Sequence, residues 1–121
     1  MSAEEAGLEV YRALLERHSA GRPLVLATVV HARGSTPRKA GACMLIDPEF
    51  GLVGSIGGGC GEAEVIRAAD EALAEGRARL VHVDLTADLL SWSPAVCGGV
   101  MDVLVEPIGA VGPSEAGDDD R

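Results

Sequence analysis

Leu52-Val53-Gly54-Ser55-Ile56-Gly57-Gly58-Gly59-Cys60-Gly61-Glu62-Ala63-Glu64-Val65-Ile66 decides how this chain is read. A short apolar run stops at a glycine cluster, and a helical pattern starts at once on the far side. The spacing predicts a strand over 52–56 and a helix from Glu62, with Ala63, Ile66, Ala69 and Leu73 on one face and Gly76 as its stop. Small residues between a strand and a helix let a ligand approach backbone N–H groups, and the helix start adds partial positive charge.

Upstream, 42–46 reads as a strand, and Asp47-Pro48-Glu49-Phe50-Gly51 supplies turn chemistry for a hairpin with 52–56. The continuous apolar run 24–30 predicts a strand covered on both faces, followed by a polar loop over 31–41. Ser2-Ala3-Glu4-Glu5 has capping-box form, and Leu8, Tyr11, Leu15 and His18 follow at helical spacing until Gly21 and Pro23. Downstream, 80–85 alternates, with Val81, Val83 and Leu85 facing a core and His82 and Asp84 facing away. Residues 86–96 read as irregular, and 100–107 as a last strand ended by Pro107. The order α-β-β-β-α-β-β predicts an α/β fold, a single mixed β-sheet of about five strands packed with two main helices. One domain is expected over 1–108, with a disordered acidic tail over 109–121.

At 121 residues and 47% hydrophobic, the chain has room for one core. No apolar run approaches the roughly 20 residues of a membrane span, and nothing reads as a secretion signal. Cys43, Cys60 and Cys97 are odd in number and lack CxxC spacing, which argues against a disulfide scaffold or structural zinc and for a reducing, cytoplasmic home. One Trp, one Tyr and one Phe argue against stacking on single strands, and a formal net charge of −9 argues against nucleic-acid backbones. Yet the thirty residues between Glu16 and Asp47 hold no acid, while carrying Arg17, Arg22, Arg33, Arg38 and Lys39. Such a segment can attract a small anion locally.

Three loops carry candidate chemistry: 33–41, 57–61 and 97–99. In the first, Arg33, Ser35, Thr36, Arg38 and Lys39 combine guanidinium forks, an ammonium and hydroxyls, donors suited to a phosphate or a pterin edge. The plainer alternative is a solvated basic loop. In the second, Gly57, Gly58, Gly59 and Cys60 form an anion cradle of no standard nucleotide type. A dinucleotide fingerprint would need Gly or Ala where Glu62 or Glu64 stands, and a P-loop would need Lys at Cys60. The alternative there is a tight turn needing positive φ. Cys60, at a helix start, is the candidate nucleophile, sulfur ligand or ligand-bonding partner. Cys97, Gly98 and Gly99 make a similar, weaker case, and Cys43 reads as core. His18, His31 and His82 show no spacing of a metal site, though His31 or His82 could serve Cys60 as base.

Gly34-Ser35-Thr36-Pro37-Arg38, Gly41-Ala42 with Met44-Leu45, Gly54-Ser55-Ile56-Gly57-Gly58-Gly59-Cys60-x-Glu62, Cys97-Gly98-Gly99 and Val105-Glu106-Pro107, in that order, strongly resemble the XdhC/CoxI family. The resemblance implies an accessory protein for molybdenum hydroxylases such as xanthine dehydrogenase and carbon monoxide dehydrogenase. Such a protein binds the molybdenum cofactor (molybdopterin), protects it, supports its sulfuration and delivers it to the apoenzyme. A cysteine desulfurase enters as a further partner. The phosphate would meet the glycine cradle and Arg33, Arg38 and Lys39. Cys60 or Cys97 would approach the molybdenum, the chain supplying no metal site of its own. The chain resembles a stand-alone N-terminal domain of longer members, whose second, Rossmann-type domain it lacks. It departs from the family at Gly61, where a larger apolar residue is usual, and over 91–96. A cofactor chaperone without catalysis is the expected role, and a homodimer would add burial. The rivals are a thiol-dependent sulfur transferase using Cys60, and an interaction module that binds no cofactor.

Overall fold

The computed structural model describes residues 3–34, 36, 38–56, 61–85 and 99–109. Helix α1 (Ala3–Ser19) precedes strands β1 (Leu24–Arg33), β2 (Cys43–Asp47) and β3 (Gly51–Gly54). Helix α2 (Glu62–Glu75) and strands β4 (Arg79–Asp84) and β5 (Val100–Ile108) follow. The α/β fold with two helices and five strands is the one expected. The strands lie in the order β3-β2-β1-β5-β4, and all four neighbouring pairs are antiparallel where a mixed sheet was expected. Helix α2 carries the chain from the β3 edge to the β4 edge. Those two strands point the same way, but three others separate them, so no parallel neighbours arise.

The run 24–30 is buried on both faces as far as Val29, with Thr28 half-buried, while Val30 at its end is 46% exposed. Leu24 and Leu26 pack with Val10, Cys43 and Leu45 under α1. Val25, Ala27 and Val29 pack with Met44, Val65, Ala69, Val83, Met101 and Val103 under α2. Both helices present a different face from the one predicted. On α1, Val10 is fully buried while Leu8, Tyr11 and Leu15 are exposed. The sequence stripe and the buried stripe lie about a quarter-turn apart or more, and contact with the sheet selects the second. On α2, Val65, Ala68, Ala69 and Ala72 are buried, whereas Ala63 is exposed and Ile66 and Leu73 are half-buried. Small residues let this helix lie close on the sheet. The Ser2 cap lies outside the described residues, and Gly76 ends α2 in the left-handed conformation, donating its N–H to Ala72 O.

Strand β1 runs on to Arg33, through residues predicted as loop. A bulge at Val30 shifts the register from Val29↔Val103 to His31↔Asp102, after which pairing with β5 continues to Arg33↔Val100. Strand β3 stops at Gly54, short of the predicted Ile56. Strand β5 passes through Pro107, which pairs with Val25 beyond the last residue that β4 reaches, Val105. Strand β4 alternates as predicted, Val83 and Leu85 buried and His82 and Asp84 exposed. Of the predicted tail, only Gly109 is among the described residues.

Asp47 anchors the hairpin turn. Its side chain has no exposed surface, and its carboxylate accepts from Arg17 Nη1 at 2.8 Å, from Arg22, and from the N–H groups of Glu49 (2.9 Å) and Phe50 (3.1 Å). Arg22 also pairs with Glu49, and its guanidinium lies 4.3 Å from the centroid of the Phe50 ring. Burial alone would raise the Asp47 pKa. The Arg22 hydrogen bond, the two amides and the Arg22 charge outweigh it and hold the carboxyl well below the usual carboxylate range. A depressed folded pKa contributes stability that is complete above the unfolded value of about 4 and is lost as pH falls toward the folded value. Asp47→Asn is therefore expected to cost about 3 kcal/mol in urea unfolding at neutral pH, by removing the carboxylate that answers Arg17 and leaving Arg22 with Glu49 alone. The variant should also show a shallower loss of stability below about pH 4 than the wild type.

Candidate functional site

Because every pairing is antiparallel, β1, β3 and β4 point in one direction. The chain leaves them at Arg33, Gly54 and Asp84 and re-enters regular structure at Cys43, Glu62 and Val100. All three candidate loops thus spring from one end of the sheet, opposite the Asp47 turn. Their roots are tied by backbone bonds, from Gly41 N–H to Val29 O (2.7 Å), Val29 N–H to Ala42 O (2.9 Å) and Leu85 N–H to Gly99 O (2.9 Å).

In the first loop, the Thr36 N–H donates to Gly34 O (3.1 Å), and its hydroxyl donates to Arg38 O (3.0 Å). The Thr36 proton therefore holds the loop in this arrangement. Arg33, Arg38 and Lys39 are exposed, and none of the three forms an ion pair among the described residues. Arg17 and Arg22, which the sequence grouped with them, are instead committed to Asp47 and Glu49 at the opposite end. The positive segment thus divides into a neutralised half and an uncommitted half.

The second loop is rooted at both ends in positive-φ glycines where an added Cβ is crowded by core atoms. A Cβ on Gly54 (φ +86°) would lie 2.6 Å from Val10 Cγ2 and 2.9 Å from Cys43 O. One on Gly61 (φ +78°) would lie 2.6 Å from Val83 Cγ1. Gly61 is the left-handed N-cap of α2, and no side chain caps that end. Glu62 and Glu64 occupy the first turn, where they suit the helix dipole. The Glu62 carboxylate is also held by the Ser55 hydroxyl at 2.9 Å. Ser35, Gly57, Gly58, Gly59, Cys60, Cys97 and Gly98 lie outside the described residues, while Gly99 is placed at the foot of β5.

Cys43 is buried, as its sequence context predicted. Burial raises its thiol pKa, opposed by a hydrogen bond from the Tyr11 hydroxyl, so it is an unreactive core thiol. Separation along the chain hides one cluster. His82 Nδ1 lies 2.7 Å from Asp102 Oδ1, and His31 Nδ1 lies 3.7 Å from Asp102 Oδ2, three neighbouring strands contributing one residue each. The cross-strand register His31↔Asp102↔His82 was the signal, legible only with the Val30 bulge in place. Among the described residues, no group of three ligating side chains could hold a metal ion.

The model of the XdhC and CoxI family matches residues 17–84. The chain is 39% identical over 83 residues to the uncharacterized protein YqeB of Escherichia coli K12, covering 69% of this chain and 15% of that protein. It is 37% identical over 86 residues to a probable xanthine dehydrogenase subunit of Bacillus subtilis 168, covering 69% of this chain and 26% of that one. Among solved structures, a xanthine dehydrogenase from Bacillus halodurans superimposes with a TM-score of 0.68 at 38% identity, over 79% of this chain and 30% of that one. The chain thus spans less than a third of the length of each of these proteins.

Gly61→Ala is expected to destabilise the protein by about 2 kcal/mol, from the left-handed backbone and the contact with Val83. Chemical unfolding of Gly61→Ala, Val83→Ala and the double variant separates the two causes. The double variant should be more stable than the sum of the single losses predicts, because Val83→Ala removes the contact but not the backbone strain.

Proposed function

Because the chain belongs to the XdhC and CoxI family, we propose that it holds molybdenum cofactor and passes it to a molybdenum hydroxylase of the xanthine dehydrogenase or carbon monoxide dehydrogenase type. The observation that carries this reading is the uncommitted charge of Arg33, Arg38 and Lys39 at the end of the sheet where all three loops are rooted. A phosphorylated pterin needs cationic donors for its phosphate and backbone donors that a side chain would block. The three cations fit the first need, and the small residues of the run 57–61 fit the second.

In this role Arg33, Arg38 and Lys39 bind the phosphate, with the amides of the glycine run beside them. Ser35 and Gly98-Gly99 complete the surroundings, and Thr36 holds the first loop in shape. Cys60 or Cys97 approaches the dithiolene end, where protection of the cofactor and its sulfuration, with sulfur from a cysteine desulfurase, take place. When bound, the cofactor supplies the molybdenum centre that the client enzyme uses; this chain binds, orients and shields it. Glu62, held by Ser55, keeps one carboxylate turned toward β3. No described helix is long and apolar enough to cross a membrane, and the cytoplasm, where the cofactor is used, is the proposed location.

The test is anaerobic purification from cells that make molybdenum cofactor, followed by assay of released pterin. Wild-type protein should carry pterin, and Arg38→Ala combined with Arg33→Ala should lower occupancy about tenfold or more at unchanged thermal stability. Arg77→Ala, beyond the far end of α2, should leave occupancy unchanged. Wild-type protein devoid of pterin, beside a loaded control protein, would sink the reading.

A further inference from the structure

The loop end carries charge of both signs, and the signs are sorted. Arg33, Arg38 and Lys39 are exposed on the first loop, Arg33 leaving β1 on the sheet face away from α2. Glu62 and Glu64 stand at the start of α2, on the other side of the sheet. Glu64 is exposed, but Glu62 is half-buried, and its place is fixed from two directions. Val65, one turn further along α2, and Ile56, next to Ser55, are fully buried in the same core cluster. The Ser55 hydroxyl donates to Glu62 Oε2 at 2.9 Å, joining the residue that follows β3 to the residue that opens α2. Glu62 forms no ion pair among the described residues. A carboxylate withdrawn from water in this way gains from every further donor that reaches it. One hydroxyl fills one of about four acceptor positions on a carboxylate, so Oε1 and part of Oε2 stay open.

We propose that Glu62 reads the pterin ring of the bound cofactor, an inference that rests on the cofactor reading above. A phosphate at the start of α2 would face the charges of Glu62 and Glu64, whereas on the first loop it meets three cations. The far edge of the pterin has the opposite need. Its ring amino group and the ring N–H beside it are two parallel donors, the same fork that a guanidinium offers a carboxylate. The sorted charges therefore orient the ligand, phosphate toward the first loop and pyrimidine edge toward α2. Ser55 is a positioning residue, because its hydrogen bond restrains the rotation of the Glu62 carboxylate. Glu64 and Asp84 also stand at this end, but both are exposed and have less to gain from a ligand's donors.

The probes are pterin and lumazine, which carries an oxo group where pterin carries its amino group. Full-chain protein from cells that make no molybdenum cofactor is titrated against each by ring fluorescence. Wild type should bind pterin about tenfold or more tightly than lumazine, whose oxygen would face the carboxylate in place of a donor. Glu62→Gln, with an amide that matches only one of the two donors, should bring the ratio close to unity. Ser55→Ala should lower the ratio about threefold, and Ser55→Thr, which keeps the hydroxyl, should restore it. Glu64→Gln removes the same charge from the same turn and should leave the ratio as in wild type. If Glu62 served only the helix start, Glu62→Gln would shift thermal unfolding and leave the ratio alone, and the proposal would fall. Equal affinity in wild type, or no binding of either ring, would overturn it as well. Wild-type protein that carries pterin from cofactor-making cells yet shows no preference loses the Glu62 assignment and keeps the cofactor reading. Protein that emerges from those cells without pterin loses both.

Discussion

Strand β1 lies between β2 and β5, with Leu24 and Leu26 pressed toward α1 and Val25, Ala27 and Val29 toward α2. Two-sided burial fixes its place, since no edge position would remove both sets of side chains from water. Its antiparallel partners then set the direction of every other strand. Which end of the sheet carries the turn and which carries the three loops follows from that. Proximity of the loops, separated by tens of residues in the chain, is thus a consequence of hydrophobic burial in the middle of the fold.

The two ends differ electrostatically, and the difference is local. At the hairpin end, the Asp47 carboxylate is shut away from water and answered by two guanidinium groups and two amides. At the loop end, Arg33, Arg38 and Lys39 face solvent and form no ion pair among the described residues, while Glu62, Glu64 and Asp84 stand at the same end.

Much of this was legible in the sequence. The unbroken apolar run 24–30 announced burial on both faces, and the glycine cluster with Glu62 marked the start of α2. What misled were the helix faces. Leu8, Tyr11 and Leu15 form a good stripe by spacing, but spacing does not say which stripe a sheet will accept, and Val10 was hidden by having few large neighbours in phase. The commitment of Arg17 and Arg22 was equally hidden. It depends on Asp47, which is 30 and 25 residues away in the chain. The His31, Asp102 and His82 cluster could not be seen because it requires a register that skips one residue of β1.

That skipped residue has a geometric consequence for the loop end. Side chains along a strand alternate, and the extra residue at Val30 reverses their parity from there onward. Ala32, the small residue, falls on the core side beside Met101, while His31 and Arg33 fall on the other. Pairing straight through Val30, with no bulge, would keep a ladder of hydrogen bonds but exchange those sides, driving an imidazole and a guanidinium toward the interior. The first loop would then be launched from the wrong surface of the sheet.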